Sequence, residues 1–306
     1  MSEISKINTN LGSLLVLVVG ATGQQGGTVA RKLLEKGHQV RALTRNKESH
    51  KAKELEKLGA QIIKGDMGDV LSLQDAMKGV DAVFAMTTPY EKGFNFEIKS
   101  GFLLEFAVNT TGVKHFIFSS VASSDQNTKI PHFESKYEIE SHIQTVDTPY
   151  TIIRPVYFME NFSSPWALSG IKEGKISMAM YPDRKLQMIS LEDFASMVVF
   201  ILENREIFLK KTIEIASDEI SGKETAEILS RVTGVHIEFR ELSYDNISGM
   251  GEDFVKTFKW LNEVGYKVDI ETLHKKYTGI GWHTFENWAQ KQFIDKDFGP
   301  VKQKIV

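Results

Sequence analysis

Leu14-Leu-Val-Leu-Val-Val19 followed by Gly20-Ala-Thr-Gly23-Gln-Gln-Gly26 decides the fold. Six apolar residues in a row, bounded by a glycine turn, read as a strand buried on both faces. Beyond the turn, Val29, Leu33 and Leu34 recur at helical spacing. A strand that enters a helix through glycines aims the helix's free N–H groups, and its positive dipole end, at whatever lies in the turn. A pyrophosphate is the natural occupant. The spacing is G-x-x-G-x-x-G, and the mechanics are those of other dinucleotide turns: one glycine for the tight bend, one for close approach of phosphate, one for packing helix on strand.

Working outward, strand and helix patterns alternate with short connections. Strands are expected at Gln39–Thr44, Gln61–Lys64, Ala82–Met86, Lys114–Ser119 and Tyr150–Arg154, with helices at Lys51–Leu58, Val70–Met77, Phe94–Thr110 and Glu134–Gln144 between them. Leu191–Asn204 reads as a further helix and Lys211–Ala216 as one more strand of the same sheet. This order predicts an α/β, doubly wound parallel sheet covered on both faces, with ligands at the carboxyl ends of its strands. The rhythm fails over Asn161–Met180, and helices dominate after Gly222 apart from a short strand near Ile237–Arg240. Residues 14–160, completed by about 186–217, are therefore expected to form the dinucleotide domain. Residues 161–185 and 218–293 form a smaller, mixed, mostly helical lobe. Residues 1–13 and 294–306 are expected to be loose tails, the first reading as a tail rather than a signal peptide.

The chain's 306 residues carry a net charge of -3, so the overall field gives no reason to expect nucleic acid or an anionic membrane as partner. The lack of cysteine excludes disulfides, thiol nucleophiles and cysteine-bearing zinc sites, and it fits a reducing, cytoplasmic setting. No apolar run approaches the length of a membrane span. The histidines show no metal-ligand spacing, so no metal is expected. Phe254, Phe258 and Trp260 read as core of the small lobe rather than as a stacking platform.

The second strand ends Leu43-Thr44-Arg45-Asn46, with no acid before Glu48 to hold a ribose 2′-hydroxyl. Arg45 offers a planar charged fork suited to a 2′-phosphate, so NADP(H) is favoured over NAD(H); the other reading is a solvated surface arginine. Asp66, with Met67 beside it, either accepts from an adenine amine or makes an Asx turn. Thr87, Thr88 and Pro89 follow the fourth strand at the cleft edge, where they could line ribose and pyrophosphate.

These pieces together resemble the NmrA-like family, atypical members of the short-chain dehydrogenase/reductase superfamily. The likeness rests on the glycine turn, Thr44-Arg45-Asn46, Gly65-Asp66, Phe116-Ile-Phe-Ser-Ser120, His132-Phe133-x-x-Lys136, Arg154-Pro155-x-x-Phe158-Met-Glu-Asn161 and the closing Thr284-Phe-Glu-Asn-Trp288. The resemblance implies a Rossmann-type NADP(H)-binding domain. By motif match Gly20, Thr22, Gly23, Gln25 and Gly26 would hold the pyrophosphate and Arg45 the 2′-phosphate. Lys136 would reach the nicotinamide ribose, with Tyr157, Phe158 and Asn161 beside the nicotinamide. Lys99 matches a family lysine that can approach the cofactor, although its sequence surroundings suit a solvated helix face equally well.

Short-chain dehydrogenases place Tyr-x-x-x-Lys on the helix after the fifth strand, so that the lysine lowers the pKa of a tyrosine one turn away. Here His132 stands four residues before Lys136, and Tyr137 points about 100° round the helix from it. Three readings stay open. Lys136 holds ribose hydroxyls and does no more; Lys136 or His132 acts as general acid or base; or hydride passes from NADPH to a quinone-like acceptor that takes its protons from water. The expected function is accordingly an NADPH-dependent reductase of quinone-like acceptors. The alternative is a non-catalytic NADP(H) sensor acting through a regulatory protein partner. Oligomeric state is left open.

Overall fold

A computed structural model describes residues 12–294. The expectation of loose tails at 1–13 and 294–306 falls, but for residues 12, 13 and 294, outside the described residues. Among those residues no helix is long and apolar enough to cross a membrane. The chain divides into two compact units. One holds the chain up to Pro155 with Leu191–Ile215 and Lys276–Ile280; the other holds Val156–Ser190, Ala216–Lys275 and the chain from Gly281.

The first unit begins with β1 (Leu15–Val18), α1 (Gln24–Glu35), β2 (Gln39–Thr44), α2 (His50–Lys57), β3 (Gln61–Lys64) and α3 (Val70–Met77). It continues with β4 (Ala82–Met86), α4 (Phe94–Thr111), β5 (His115–Ser119), α5 (Pro131–Thr145) and β6 (Tyr150–Pro155). The seven-stranded parallel sheet runs β10-β6-β5-β4-β1-β2-β3, where β10 is Lys211–Ile215. Strand order reverses between β1 and β4, which opens a crevice at their carboxyl ends. Val16, Leu17 and Val18 of β1 are almost wholly buried, as a strand covered on both faces must be. On one face Leu17, Val83, Phe116 and Ile152 pack with Leu73, Leu104 and Ile139 of α3, α4 and α5. On the other, Phe84 meets Phe194 edge-on.

In the second unit β7 (Tyr157–Phe158) pairs with β9 (Lys185–Ile189), and β11 (Asp218–Ser221) joins β9 antiparallel. The stretch Asn161–Met180, expected to lack a strand–helix rhythm, contains α6 (Pro165–Lys172) and β8 (Lys175–Met178). Strand β8 pairs in parallel with β12 (Glu238–Glu241), a partner some sixty residues away that local periodicity cannot reveal. The remaining helices are α7 (Leu191–Glu203) and α8 (Arg205–Phe208) of the first unit, then α9 (Gly222–Thr233), α10 (Tyr244–Ile247), α11 (Glu252–Glu263), α12 (Ile270–Lys276) and α13 (Phe285–Phe293). Phe258 and Trp260 of α11 are buried, while Phe254 is half-buried. Helix α13 is pinned to the turn after β7: Trp288 Nε1 donates to Glu160 Oε1 at 3.0 Å, and Phe285 meets Phe162 edge-on at 5.2 Å.

Candidate functional site

The crevice starts at Gly20. Its φ of +73° belongs to the left-handed region that glycine tolerates, and it turns the chain back so that Gly23 N donates to Gly20 O at 2.9 Å. Gly26 then packs so closely on this turn that a Cβ there would lie 2.4 Å from Gly20 O. Helix α1 is thereby drawn tight against the end of β1. Its N-cap, Gly23, supplies no side chain, so the leading N–H groups are left for something else. Thr22 and Gln25 are half-buried at this edge, and Gln25 Oε1 is buried without a hydrogen-bond partner. Ser119 Oγ and Ser120 Oγ at the end of β5 are orphaned in the same way. An uncapped helix end, a cradle closed to any Cβ and unpartnered polar atoms are what a dinucleotide's pyrophosphate and sugars would satisfy.

Arg45, at the end of β2, is exposed and grips Glu91 with both guanidinium nitrogens, Nη1–Oε2 at 2.7 Å and Nη2–Oε1 at 3.1 Å. The Glu91 carboxylate, with a smaller contribution from Asp66, raises the Arg45 pKa. Asp66 Oδ1 accepts from Gly68 N at 2.7 Å, the Asx turn anticipated as one of its two readings, and Oδ2 lies 3.9 Å from Lys92 Nζ. Met67 is half-buried beside it. Thr88 and Pro89 lie in the loop from Thr87 to Gly93, where Thr88 Oγ1 accepts from Tyr90 N at 3.4 Å and Gly93 N donates to Pro89 O at 2.7 Å.

Lys136 is buried on the second turn of α5. Its three N–H bonds go to Thr87 O at 2.5 Å, Thr87 Oγ1 at 3.0 Å and Glu97 Oε1 at 3.0 Å. Glu97 is fully buried; it also accepts from Thr87 Oγ1 at 3.1 Å and from Ser135 Oγ at 2.6 Å. All three ammonium donors are thus taken, by a carboxylate, a carbonyl and a hydroxyl, which fixes the side chain in place. Helix α5 begins at Pro131, earlier than the expected Glu134, so His132 stands in its first turn with its ring edge-on to Phe133 at 4.7 Å. Lys99 is on the exposed side of α4 and is not brought into this cluster; the α4 residue that meets Lys136 is Glu97.

At the end of β6, Arg154 is buried between Glu140, its Nε at 3.0 Å from Oε1, and Asp125, its Nη1 at 2.7 Å from Oδ2. Burial pulls the guanidinium pKa down, but the two carboxylates outweigh it and raise the value. Glu140 and a third acid, Glu214, whose Oε1 lies 3.5 Å from Arg154 Nη1, tie down the loop after β5: Ser124 Oγ donates to Glu140 at 2.9 Å, and Ser123 N donates to Glu214 at 2.7 Å. Ser123, Asn127 and Lys129 all have positive φ there, and the bond to Glu214 holds the first of them.

In the second unit Tyr157 is half-buried, and burial pushes its phenol up to about 12 against a smaller opposing hydrogen bond from Asn161. Phe158 is half-buried beside it, and Asn161 O accepts from Ser164 Oγ at 2.8 Å. Among the described residues no group of three or more His, Asp or Glu side chains could hold a metal ion.

Glu91, Glu97, Glu140 and Asp125 escape a reading of the sequence. Each is an acid in an unremarkable polar stretch, and only its partner on another element gives it a role. A weak signal did exist for Glu97, an acid on the helix after the fourth strand with apolar Phe96 and Ile98 on either side.

The NmrA-like family model matches residues 13–289. The chain belongs to the NmrA-like family. An NmrA-like family domain-containing protein of Dictyostelium discoideum is 33% identical over 299 residues, covering 90% of this chain and 97% of that protein. A (4-alkanoyl-5-oxo-2,5-dihydrofuran-3-yl)methyl phosphate reductase of Streptomyces griseus is 29% identical over 285 residues, covering 90% of this chain and 96% of that protein. Among solved structures, the fold is similar to that of NmrA, a negative transcriptional regulator in complex with NADP. The TM-score is 0.78 at 19% identity, over 92% of this chain and 96% of that one.

Proposed function

We propose that this NmrA-like protein binds NADP(H) and uses it to reduce electron-poor, quinone-like acceptors. The observation that carries the choice of acceptor is the locking of Lys136 by Glu97 and Thr87. A lysine whose proton is held by a fully buried carboxylate is a poor general acid, because giving the proton up would leave Glu97 buried and uncompensated. With no Tyr-x-x-x-Lys dyad on α5, the acceptor must stabilise added charge itself and draw its proton from water. Conjugated, electron-poor rings do so; simple ketones do not.

NADPH supplies the hydride. The chain's residues supply binding and orientation. Gly20, Thr22, Gly23, Gln25 and Gly26 bind the pyrophosphate, and Arg45 takes the 2′-phosphate. Met67 and Asp66 flank the adenine, Asp66 through the Oδ2 that faces Lys92. Thr87, Thr88 and Pro89 line the ribose and pyrophosphate edge. Lys136, fixed in place, presents positive charge to the nicotinamide ribose, with Tyr157, Phe158 and Asn161 as the nicotinamide neighbours that the family resemblance implies. The dihydrofuranone named for the Streptomyces relative is itself a conjugated, electron-poor ring, which supports this acceptor class.

A test follows loss of the reduced-nicotinamide absorbance on adding simple quinones to the protein with NADPH. Turnover that Lys136→Ala abolishes supports the reductase. Tight NADPH binding with no oxidation by any acceptor would leave the second reading, an NADP(H)-responsive regulator with a protein partner. The missing dyad and the regulator among the structural neighbours favour that alternative.

A further inference from the structure

A charge placed where a ligand's charge is expected is a competitor for the site. Arg45 is the only residue read above as taking a 2′-phosphate, and Glu91 already holds it through two short, charge-assisted bonds. Glu91 reaches it from the loop Thr87–Gly93, forty-six residues further along the chain. The same loop places Lys92 Nζ 3.9 Å from Asp66 Oδ2 and 4.4 Å from the Phe96 ring centroid. At its start Thr87 grips Lys136. One short loop thus touches the residues assigned to both ends of the dinucleotide.

We propose that Glu91 is a specificity-setting latch: its carboxylate occupies Arg45 in place of a 2′-phosphate, and the 2′-phosphate of NADP(H) must displace it to bind. The carboxylate and the phosphate each offer a pair of anionic oxygens to the same guanidinium fork, and they repel each other, so the two cannot share it fully. NAD(H), which has only a hydroxyl at that position, leaves the latch closed. Glu91 therefore lowers the preference for the phosphorylated cofactor below what Arg45 alone would give, an example of specificity set by a repulsive element. Displacement also frees the Thr87–Gly93 loop at its Glu91 end, while Thr87 stays tied to Lys136. The exposed Tyr90 beside Glu91 is the part of the loop best placed to report this.

The proposal rests on Arg45 as the 2′-phosphate reader, and the two are separable by titrating the full chain with NADPH and with NADH. The proteins needed are the wild type, Glu91→Gln, Arg45→Ala and the double variant. Exposed ion pairs are weak, so Glu91→Gln is expected to tighten NADPH roughly two- to five-fold without tightening NADH. That gain should vanish in the Arg45→Ala background. A gain that persists without Arg45 would reflect only the general field of a removed negative charge and would overturn the latch. So would NADPH binding that Glu91→Gln leaves unchanged or weakens, provided Arg45→Ala still selectively weakens NADPH. If Arg45→Ala weakens both dinucleotides equally or neither, the 2′-phosphate assignment fails and the latch fails with it. In a Tyr90→Trp variant, the indole emission should shift with NADPH and not with NADH; equal shifts with both would refute release of the loop by the phosphate.

Discussion

Lys136 Nζ lies 3.0 Å from Glu97 Oε1, with the carboxylate wholly buried and the ammonium nearly so. The pair joins the start of α5 to the start of α4, and Thr87 closes the triangle from the end of β4. It turns a lysine that could have served as an acid into a fixed positive charge.

That arrangement has a stability signature. Glu97→Ala strands a buried cation, at a cost of about 3–5 kcal/mol. Adding Lys136→Met removes the stranded charge and should recover most of the loss. Urea unfolding of both variants checks this. A Glu97→Ala protein as stable as the wild type would show that the pair is solvated rather than buried.

The phosphate reader has a cofactor signature. Arg45→Asp should weaken NADPH by tenfold or more, since hydrogen bonds to charged groups contribute about 1.5–3 kcal/mol, while NADH changes little. Fluorescence titration with each dinucleotide measures both constants. Equal loss of the two would remove Arg45 from the 2′-phosphate.

Gly26 tests the cradle itself. A methyl at this position would lie 2.4 Å from Gly20 O, which is backbone and cannot swing aside. Gly26→Ala should push α1 off the turn, costing about 1–3 kcal/mol in stability by overpacking and most of the dinucleotide affinity. Gly12→Ala, where a Cβ meets nothing within 4 Å, is the matching control. Undiminished NADPH binding by the Gly26 variant would mean that the turn does not hold the cofactor.

His115 gives a pH dependence. Burial, with a smaller push from Arg205, takes its imidazole down to about 3. Its Nε2 lies 2.8 Å from Thr151 Oγ1, whose own proton goes to Phe208 O at 2.8 Å, so Nε2 carries the hydrogen and the ring is neutral. The unfolded chain takes up this proton near the ordinary histidine value and the folded chain does not. The contribution to stability is therefore whole above about 6.5 and is lost as pH falls toward about 3. The slope approaches about 1.4 kcal/mol per pH unit for one proton. The melting-temperature advantage of wild type over His115→Gln should be greatest near neutrality and should shrink, or reverse, as pH falls toward about 4. Parallel curves would mean that His115 titrates normally in the fold.

Much of this was legible in the chain. The β1 strand, expected at Leu14–Val19 and found at Leu15–Val18, and the helix beyond its glycine turn are both legible, because a buried strand, a glycine turn and an amphipathic helix are local patterns. The parallel order follows from strand–helix alternation and right-handed crossovers. The misses have a common cause. Strand β8 finds its partner only in β12, and α5 starts at Pro131 because a proline at the first helical turn needs no N–H donor there.

The sequence by itself determined that a helix end closed by Gly20, Gly23 and Gly26 would stand at the carboxyl end of a strand in a parallel sheet, and that no tyrosine would stand one turn before Lys136. Both are matters of spacing along one segment. Only the tertiary structure decided which charges those residues meet: Glu97 for Lys136, Glu91 for Arg45, Glu140 and Asp125 for Arg154. Each pair joins two different segments, from 14 residues apart for Glu140 and Arg154 to 46 for Arg45 and Glu91. An acid's role is set by the cation it faces in a low-dielectric or crowded place, and that neighbour exists only once the chain has folded.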